Sequence, residues 1–224
     1  MTHALSLDFW GTLAVLNPAY SAARTTYLAR IANLSQAEAN HRYRAVKRRL
    51  DGDAERYGTA VTPTAACARL VQSLGLGHAV PAEEVRGRLE ALARESPPVV
   101  TPRTLDGLRK AANAGLVLCL ASNTNFLGGA LMTELFPDLP LHGRVYSDEL
   151  GVSKPHPDFF AAVLGELRRH APGLEPADIT HVGDHPVCDR VGAERAGFAS
   201  VLVRSPTETD VALGELVASY RRAG

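Results

Sequence analysis

Lysine is scarce in this 224-residue chain. Of its 24 basic residues only Lys47, Lys110 and Lys154 are lysines, so each can be weighed individually. Net charge is missing too, since 24 Lys and Arg meet 24 Asp and Glu. Neutrality removes the sequence-independent attraction to phosphate backbones on which nucleic-acid binders rely. Cysteine is limited to Cys67, Cys119 and Cys188. Their odd number and wide spacing fit neither a disulfide framework nor a thiolate metal site. A reduced, cytoplasmic protein is expected. Long apolar runs are absent: the stretch from Leu116 to Ala121 is far too short to span a bilayer. The N-terminus has no basic leader, and Asp8 interrupts its apolar stretch, so neither a signal peptide nor a membrane role is expected. What remains is an ordinary globular balance, 46% hydrophobic and 21% charged, with enough chain to bury a core.

The opening segment Ala4-Leu5-Ser6-Leu7 is a short apolar run that stops at Asp8, with Gly11 and Thr12 beyond. It reads as a buried strand delivering an acid to its C-terminal end. Residues 17–98 then read as entirely helical. Asn17-Pro18 starts one helix, with Tyr20, Arg24, Tyr27, Leu28 and Ile31 on one face. Ser35 to Glu38 has the spacing of a capping box before Tyr43, Val46 and Leu50. Thr62-Pro63 and Pro81 open two more helices, and Ser96-Pro97-Pro98 closes the block.

Beyond residue 98 helices and strands alternate. Leu116–Ala121 reads as a central parallel strand ending at Ser122-Asn123. Further strands are expected at 144–147, at 179–182 before Gly183-Asp184, and at 199–203. The pattern predicts an α/β fold, a doubly wound and mostly parallel sheet, interrupted after its first strand by a helical insertion. Residues 1–16 and 99–224 form the expected core and 17–98 the expected cap. The proline-containing joins near Leu16-Asn17-Pro18 and at 96–102 are hinge candidates.

In an open α/β sheet the ligand lies beyond the carboxyl ends of the strands. The polar residues there are Asp8 and Thr12, Ser122 and Asn123, and Asp184 and Asp189, joined by Lys154 from the loop 151–155. These segments carry a resemblance. Asp8-Phe9-Trp10-Gly11-Thr12, Leu120-Ala121-Ser122-Asn123, Gly151-Val152-Ser153-Lys154-Pro155 and Gly183-Asp184 through Asp189 resemble, in order, the four motifs of the haloacid dehalogenase superfamily. The resemblance spans residues 4 to 203 and implies that superfamily's Rossmann-like core with an inserted helical cap. It implies Asp8 as nucleophile, Thr12 beside it, and Ser122, the Asn123 backbone N–H and Lys154 on phosphate. It also implies Mg²⁺ held by Asp8, Asp184, Asp189 and the Trp10 backbone carbonyl. The chemistry agrees: phosphoryl transfer to a carboxylate needs an exposed nucleophile, a cation and donors for the equatorial oxygens, and a hard cation wants oxygen ligands.

One departure bears on mechanism. Most superfamily phosphatases have a second Asp two residues after the nucleophile, which protonates the leaving oxygen; here Trp10 stands there, and an indole is no acid. General acid–base catalysis is typically worth about 10²–10⁴-fold. The favoured reading is a Mg²⁺-dependent phosphatase of a small anionic metabolite that acts on a good leaving group or uses another residue as acid, His185 and His156 being the local candidates. The second is a dehalogenase, whose members resemble this chain in an aromatic at that position but lack the Gly-Asp metal motif. The third is a non-catalytic relative that binds a phosphorylated ligand or a partner protein. Carbon–phosphorus hydrolysis through Lys47 is a narrower option, set against a solvated helix face.

Overall fold

The computed structural model describes residues 2–77 and 79–223. Five strands form a parallel sheet in the order β5 (Gly143–Tyr146), β4 (Val117–Ser122), β1 (Ala4–Leu7), β6 (Ile179–Gly183), β7 (Ala199–Leu202). The three central strands are buried along their whole length. That is why β4 reads as a continuous apolar run, while β1 and β6 hold buried polar residues at Ser6, Thr180 and His181. Leu5, Leu7, Leu118, Leu120 and Val182 belong to one core cluster. Ala4, Val117, Cys119, Ala121 and Ile179 belong to a second, which includes Phe159, Phe160 and Val163 of α8 (Pro157–Arg168). The strand ends of β1, β4 and β6 are thereby fixed side by side, and Asp8 closes this register through its N–H to the Val182 carbonyl at 2.9 Å.

Residues 17–98 form four helices, α1 (Pro18–Ala32), α2 (Gln36–Tyr57), α3 (Pro63–Ser73) and α4 (Ala82–Glu95). Their starts follow local chemistry. The side chains of Asn17, Ser35 and Thr62 each accept a backbone N–H of the first turn. The capping box expected at Ser35–Glu38 is only half formed. Ser35 accepts the Glu38 N–H at 3.2 Å, but the Glu38 carboxylate turns to Arg42 at 2.7 Å. A charge-assisted bond outcompetes the return bond to the cap.

The joins of the helical block pair with each other. β2 (Ala14–Val15) and β3 (Val99–Val100) form an antiparallel ribbon, and Asn17 Nδ2 donates to the Pro97 carbonyl at 3.1 Å. Two further boundaries differ from expectation. The strand predicted at 144–147 runs over Gly143–Tyr146, because Ser147 starts the short helix α7 (Ser147–Leu150). The chain after Asp184 opens as a π-helix, Pro186–Val191, because the His185 ring takes two backbone donors of its first turn. α5 (Pro102–Asn113), α6 (Gly129–Leu135), α9 (Gly192–Arg195) and α10 (Pro206–Ala223) complete the order. No helix among the described residues is long and apolar enough to cross a membrane. The three cysteines are free and buried.

Candidate functional site

The strand ends converge on Lys154. Its Nζ, 1% exposed, donates to Asp8 Oδ1 at 2.8 Å and to Asp189 Oδ1 at 2.6 Å. Asp8 Oδ2 accepts the Thr12 hydroxyl at 3.1 Å. Burial works against the Lys154 ammonium, but Asp189 and Asp8 more than offset it and hold its pKa above the ordinary lysine value. For Asp8 burial is the larger influence and Lys154 opposes it; with Asp189 and Asp184 adding repulsion, its pKa is pushed up to about 7. Burial also acts to raise Asp189, yet Lys154 and His181 pull it well below the usual carboxylate range.

Asp189 is surrounded by donors. Besides Lys154, its Oδ1 meets His181 Nε2 at 3.1 Å, and its Oδ2 accepts the His185 N–H at 2.8 Å. His181 lies on β6 opposite Ser6 of β1, and its Nδ1 is 2.8 Å from Ser6 Oγ. Burial lowers its pKa and keeps the ring neutral. Nε2–H therefore faces the carboxylate, and Nδ1 accepts from Ser6. The sequence reading missed this pair. Its signal was Ser6 and His181, polar residues within two short strands otherwise apolar enough to be buried.

The Asn123 side chain has a role that the sequence did not predict. It clasps the Lys154 backbone, Oδ1 accepting the N–H at 2.8 Å and Nδ2 donating to the carbonyl at 2.9 Å. Ser122 is buried at the end of β4. Its hydroxyl donates to the Asn123 carbonyl at 3.4 Å, and the cavity wall here is Asn123, Thr124 and Asn125 instead. Of the two histidines considered as acids, His185 lines the cavity. His156 is occupied capping α8, its Nδ1 accepting the Asp158 N–H.

A cavity of about 600 Å³ lies over these groups. Asp8, Trp10, Lys154, Asp184 and Asp189 form its core side, and α1 and α2 supply Tyr20, Tyr43 and Leu50 from the helical block. Lys47 also reaches it, but is paired with Asp51 at 2.6 Å. Carboxylate oxygens of Asp8, Asp184 and Asp189 all lie within 4.8 Å of one another. Asp184 is exposed, and partial enclosure together with the Asp189 charge raises its pKa. Gly11, at φ +80°, admits it: a Cβ there would collide with the Asp184 carboxylate. Hard oxygen donors grouped around Asp184, which has no ion-pair partner among the described residues, suit a small divalent cation.

Comparison with known proteins places this arrangement. The chain is 29% identical over 150 residues to the human haloacid dehalogenase-like hydrolase domain-containing protein 3, covering 63% of this chain and 56% of that protein. It is 38% identical over 63 residues to a glyceraldehyde 3-phosphate phosphatase of Methanopyrus kandleri, covering 28% of this chain and 25% of that one. It thus spans from a quarter to just over half the length of these curated relatives. Among solved structures, the magnesium-bound putative hydrolase YfnB of Bacillus subtilis superposes with a TM-score of 0.69 at 16% identity, covering 96% of this chain and all of that one. A phosphatase from Thermococcus onnurineus gives 0.63 at 21% identity over 91% of this chain and 86% of that one. L-2-haloacid dehalogenase from Xanthobacter autotrophicus gives 0.60 at 20% identity over 91% and 78%. At these identities the structural likeness speaks for the fold. The family model of haloacid dehalogenase-like hydrolases, however, matches residues 2–197, from before Asp8 to beyond Asp189, and with that span the chain belongs to the haloacid dehalogenase-like hydrolase family.

Proposed function

We propose that the chain is a Mg²⁺-dependent phosphatase of small phosphorylated metabolites, working through a phosphoryl group carried on Asp8. The observation that carries the reading is the position of Asp8 at the floor of the cavity, its carboxylate bound by Lys154 at 2.8 Å and flanked by Asp184. Asp8 and Asp184, with the Trp10 carbonyl, would hold the cation. Bound there, Mg²⁺ would neutralise charge on the phosphoryl oxygens and on Asp8. It would also counter the burial and repulsion that push Asp8 towards protonation, keeping the nucleophile ionised.

Each protein group then has a task. Asp8 attacks phosphorus, the bond to the leaving oxygen breaks, and the electron pair departs on that oxygen. Lys154 spreads positive charge over the attacking carboxylate and the transferring group. Thr12 fixes the second Asp8 oxygen. Asn123 sets Lys154 through its backbone, and its own N–H is the phosphate donor of this strand end; the expected Ser122 donor is instead turned to the Asn123 carbonyl, off the cavity wall. Water then attacks phosphorus on phospho-Asp8 and restores the carboxylate. The helices of residues 17–98 act as a cap that keeps bulk water off the site. The free thiols suit a cytoplasmic protein.

The test is phosphate release from a panel of phosphorylated metabolites, with Mg²⁺ and with EDTA, beside halide release from 2-chloropropionate. Mg²⁺-dependent phosphate release is expected. Halide release that survives EDTA would replace the reading with a dehalogenase, and silence in every arm with a binding protein.

A further inference from the structure

The cavity above Asp8 is lined in part by Trp10, Tyr20, Tyr43, Leu50, Val61 and Phe126. Tyr43 of the helical block and Phe126 of the core stand 4.8 Å apart, their rings tilted by 32°, with the Arg24 guanidinium over the Tyr43 ring at 3.8 Å. Several polar side chains of the wall are engaged with one another, while the Tyr20 hydroxyl has no partner among the described residues. Asn125 donates to Asp51 at 3.1 Å and accepts the Phe126 N–H at 2.7 Å. Ser153 donates to the Thr59 carbonyl at 3.0 Å, and both ends of the Asn123 amide hold the Lys154 backbone. Charge is kept to an exposed rim, where Lys47 pairs with Asp51 and Arg48 faces solvent.

A second observation is independent of the wall. The place that an acid holds in the motif this segment resembles is taken by an indole, Trp10, held edge-on against Phe9 at 5.0 Å. A leaving group must then depart as an anion stable without help. We infer that the substrate is the phosphate monoester of a phenol: an aromatic, largely apolar leaving group, rather than a sugar or other alkyl phosphate. The inference rests on the phosphatase reading and narrows it.

Both halves of the chemistry agree on this class. A phenolate delocalises the electron pair left by the broken phosphorus–oxygen bond, and takes its proton from solvent afterwards. Its ring displaces water from an aromatic wall and stacks there. A sugar would bring hydroxyls to a wall whose Asn123, Asn125 and Ser153 side chains are already engaged, and each unmet hydrogen bond would count against binding.

Three probes separate the wall from the chemistry: 4-nitrophenyl phosphate, acetyl phosphate and glucose 6-phosphate, assayed with Mg²⁺ on the whole protein. Acetyl phosphate has a good leaving group and no ring; the sugar has a poor one and many hydroxyls. The expected kcat/KM for the aryl ester exceeds that for acetyl phosphate by about tenfold or more, the usual worth of an apolar ring in a matching pocket. The sugar phosphate falls below both. Val61→Asn, at a half-buried wall position, should lower the aryl-to-acetyl ratio several-fold, with circular dichroism checking the fold. Acetyl phosphate turned over as well as the aryl ester, a ratio indifferent to Val61→Asn, or a preference for the sugar would each overturn the inference while leaving the phosphatase reading intact. No turnover of any probe would overturn that reading itself, and the inference with it.

Discussion

Lys154 is held closer by Asp189 than by Asp8, at 2.6 Å against 2.8 Å. The two aspartates of the segment after β6 therefore differ in kind. Asp189, 2% exposed, is saturated by Lys154, His181 and a backbone N–H; Asp184 opens on the cavity without an ion-pair partner among the described residues. Removing one partner of a buried pair costs about 3–5 kcal/mol, because the other charge is stranded. Asp189→Ala should thus unfold at markedly lower urea and lose activity together. Asp184→Ala should keep near-native stability without Mg²⁺ and lose Mg²⁺ affinity, read by calorimetry. Equal stability losses in the two variants, or unchanged Mg²⁺ affinity in Asp184→Ala, would refute this division.

Asp8→Asn should abolish turnover, since an amide cannot carry the phosphoryl group. It should also change how stability depends on pH. The metal-free Asp8 carboxyl is raised from 3.8 to about 7, chiefly by burial. A raised acid binds its proton more tightly folded than unfolded, so its favourable contribution is complete at low pH and is lost as pH climbs to about 7. The asparagine variant lacks that loss. Its stability advantage over wild type should therefore grow between pH 4 and 7, on the order of a few kcal/mol, and level off above. Mg²⁺ should shrink the gap at pH 8. A pH-independent difference in urea midpoints would contradict the raised carboxyl.

The strand ends were readable because a buried parallel strand is a mostly apolar run, and its end is marked where polarity returns: at Asp8, at Ser122, at Asp184. Helix starts at Asn17, Ser35 and Thr62 were readable because capping is local chemistry between a side chain and the next turn. What depends on distant partners was not. The pairing of Ala14–Val15 with Val99–Val100 joins segments separated by the whole helical block. The turning of Glu38 from its cap to Arg42, and the Asn123 clasp on Lys154, are competitions between partners that spacing alone does not decide.

His181 carries a prediction of its own. It touches no cavity surface, and acts on Lys154 through Asp189. His181→Phe keeps the ring, which Phe160 meets edge-on at 5.5 Å, but strands the Ser6 hydroxyl and removes one donor from Asp189. A buried polar group left unmet costs about 1–3 kcal/mol. If His181 positions the site, kcat should fall several-fold at nearly constant KM, and Ser6→Ala should do the same more weakly. A variant with lowered stability but unchanged kcat would make its role purely structural.

Trp10 bears the sharpest test of mechanism. The side chain is half-buried and lines the cavity within reach of substrate, yet offers neither an acid nor a base. If the enzyme works without such a group, its rate must depend steeply on leaving-group acidity. Alkyl phosphates, which depart as strongly basic alkoxides, must then be its poorest substrates. Trp10→Asp restores a carboxyl where protonation is needed, and should raise alkyl phosphate turnover selectively, by at most the ~10²–10⁴-fold that acid–base catalysis supplies. Aryl phosphate turnover should not gain, and should fall as ring contact is lost. The substitution also opens space against Phe9 and disturbs the backbone whose carbonyl is assigned to the metal, so the urea midpoint and Mg²⁺ affinity must be measured beside the rates. If wild type is already equally fast on aryl and alkyl phosphates, with chemistry shown to be rate-limiting by single-turnover kinetics, another residue serves as acid. His185 is then the first to replace: it lines the cavity, and its Nδ1 accepts from the Val187 and Cys188 N–H groups, leaving Nε2 as the proton-bearing atom.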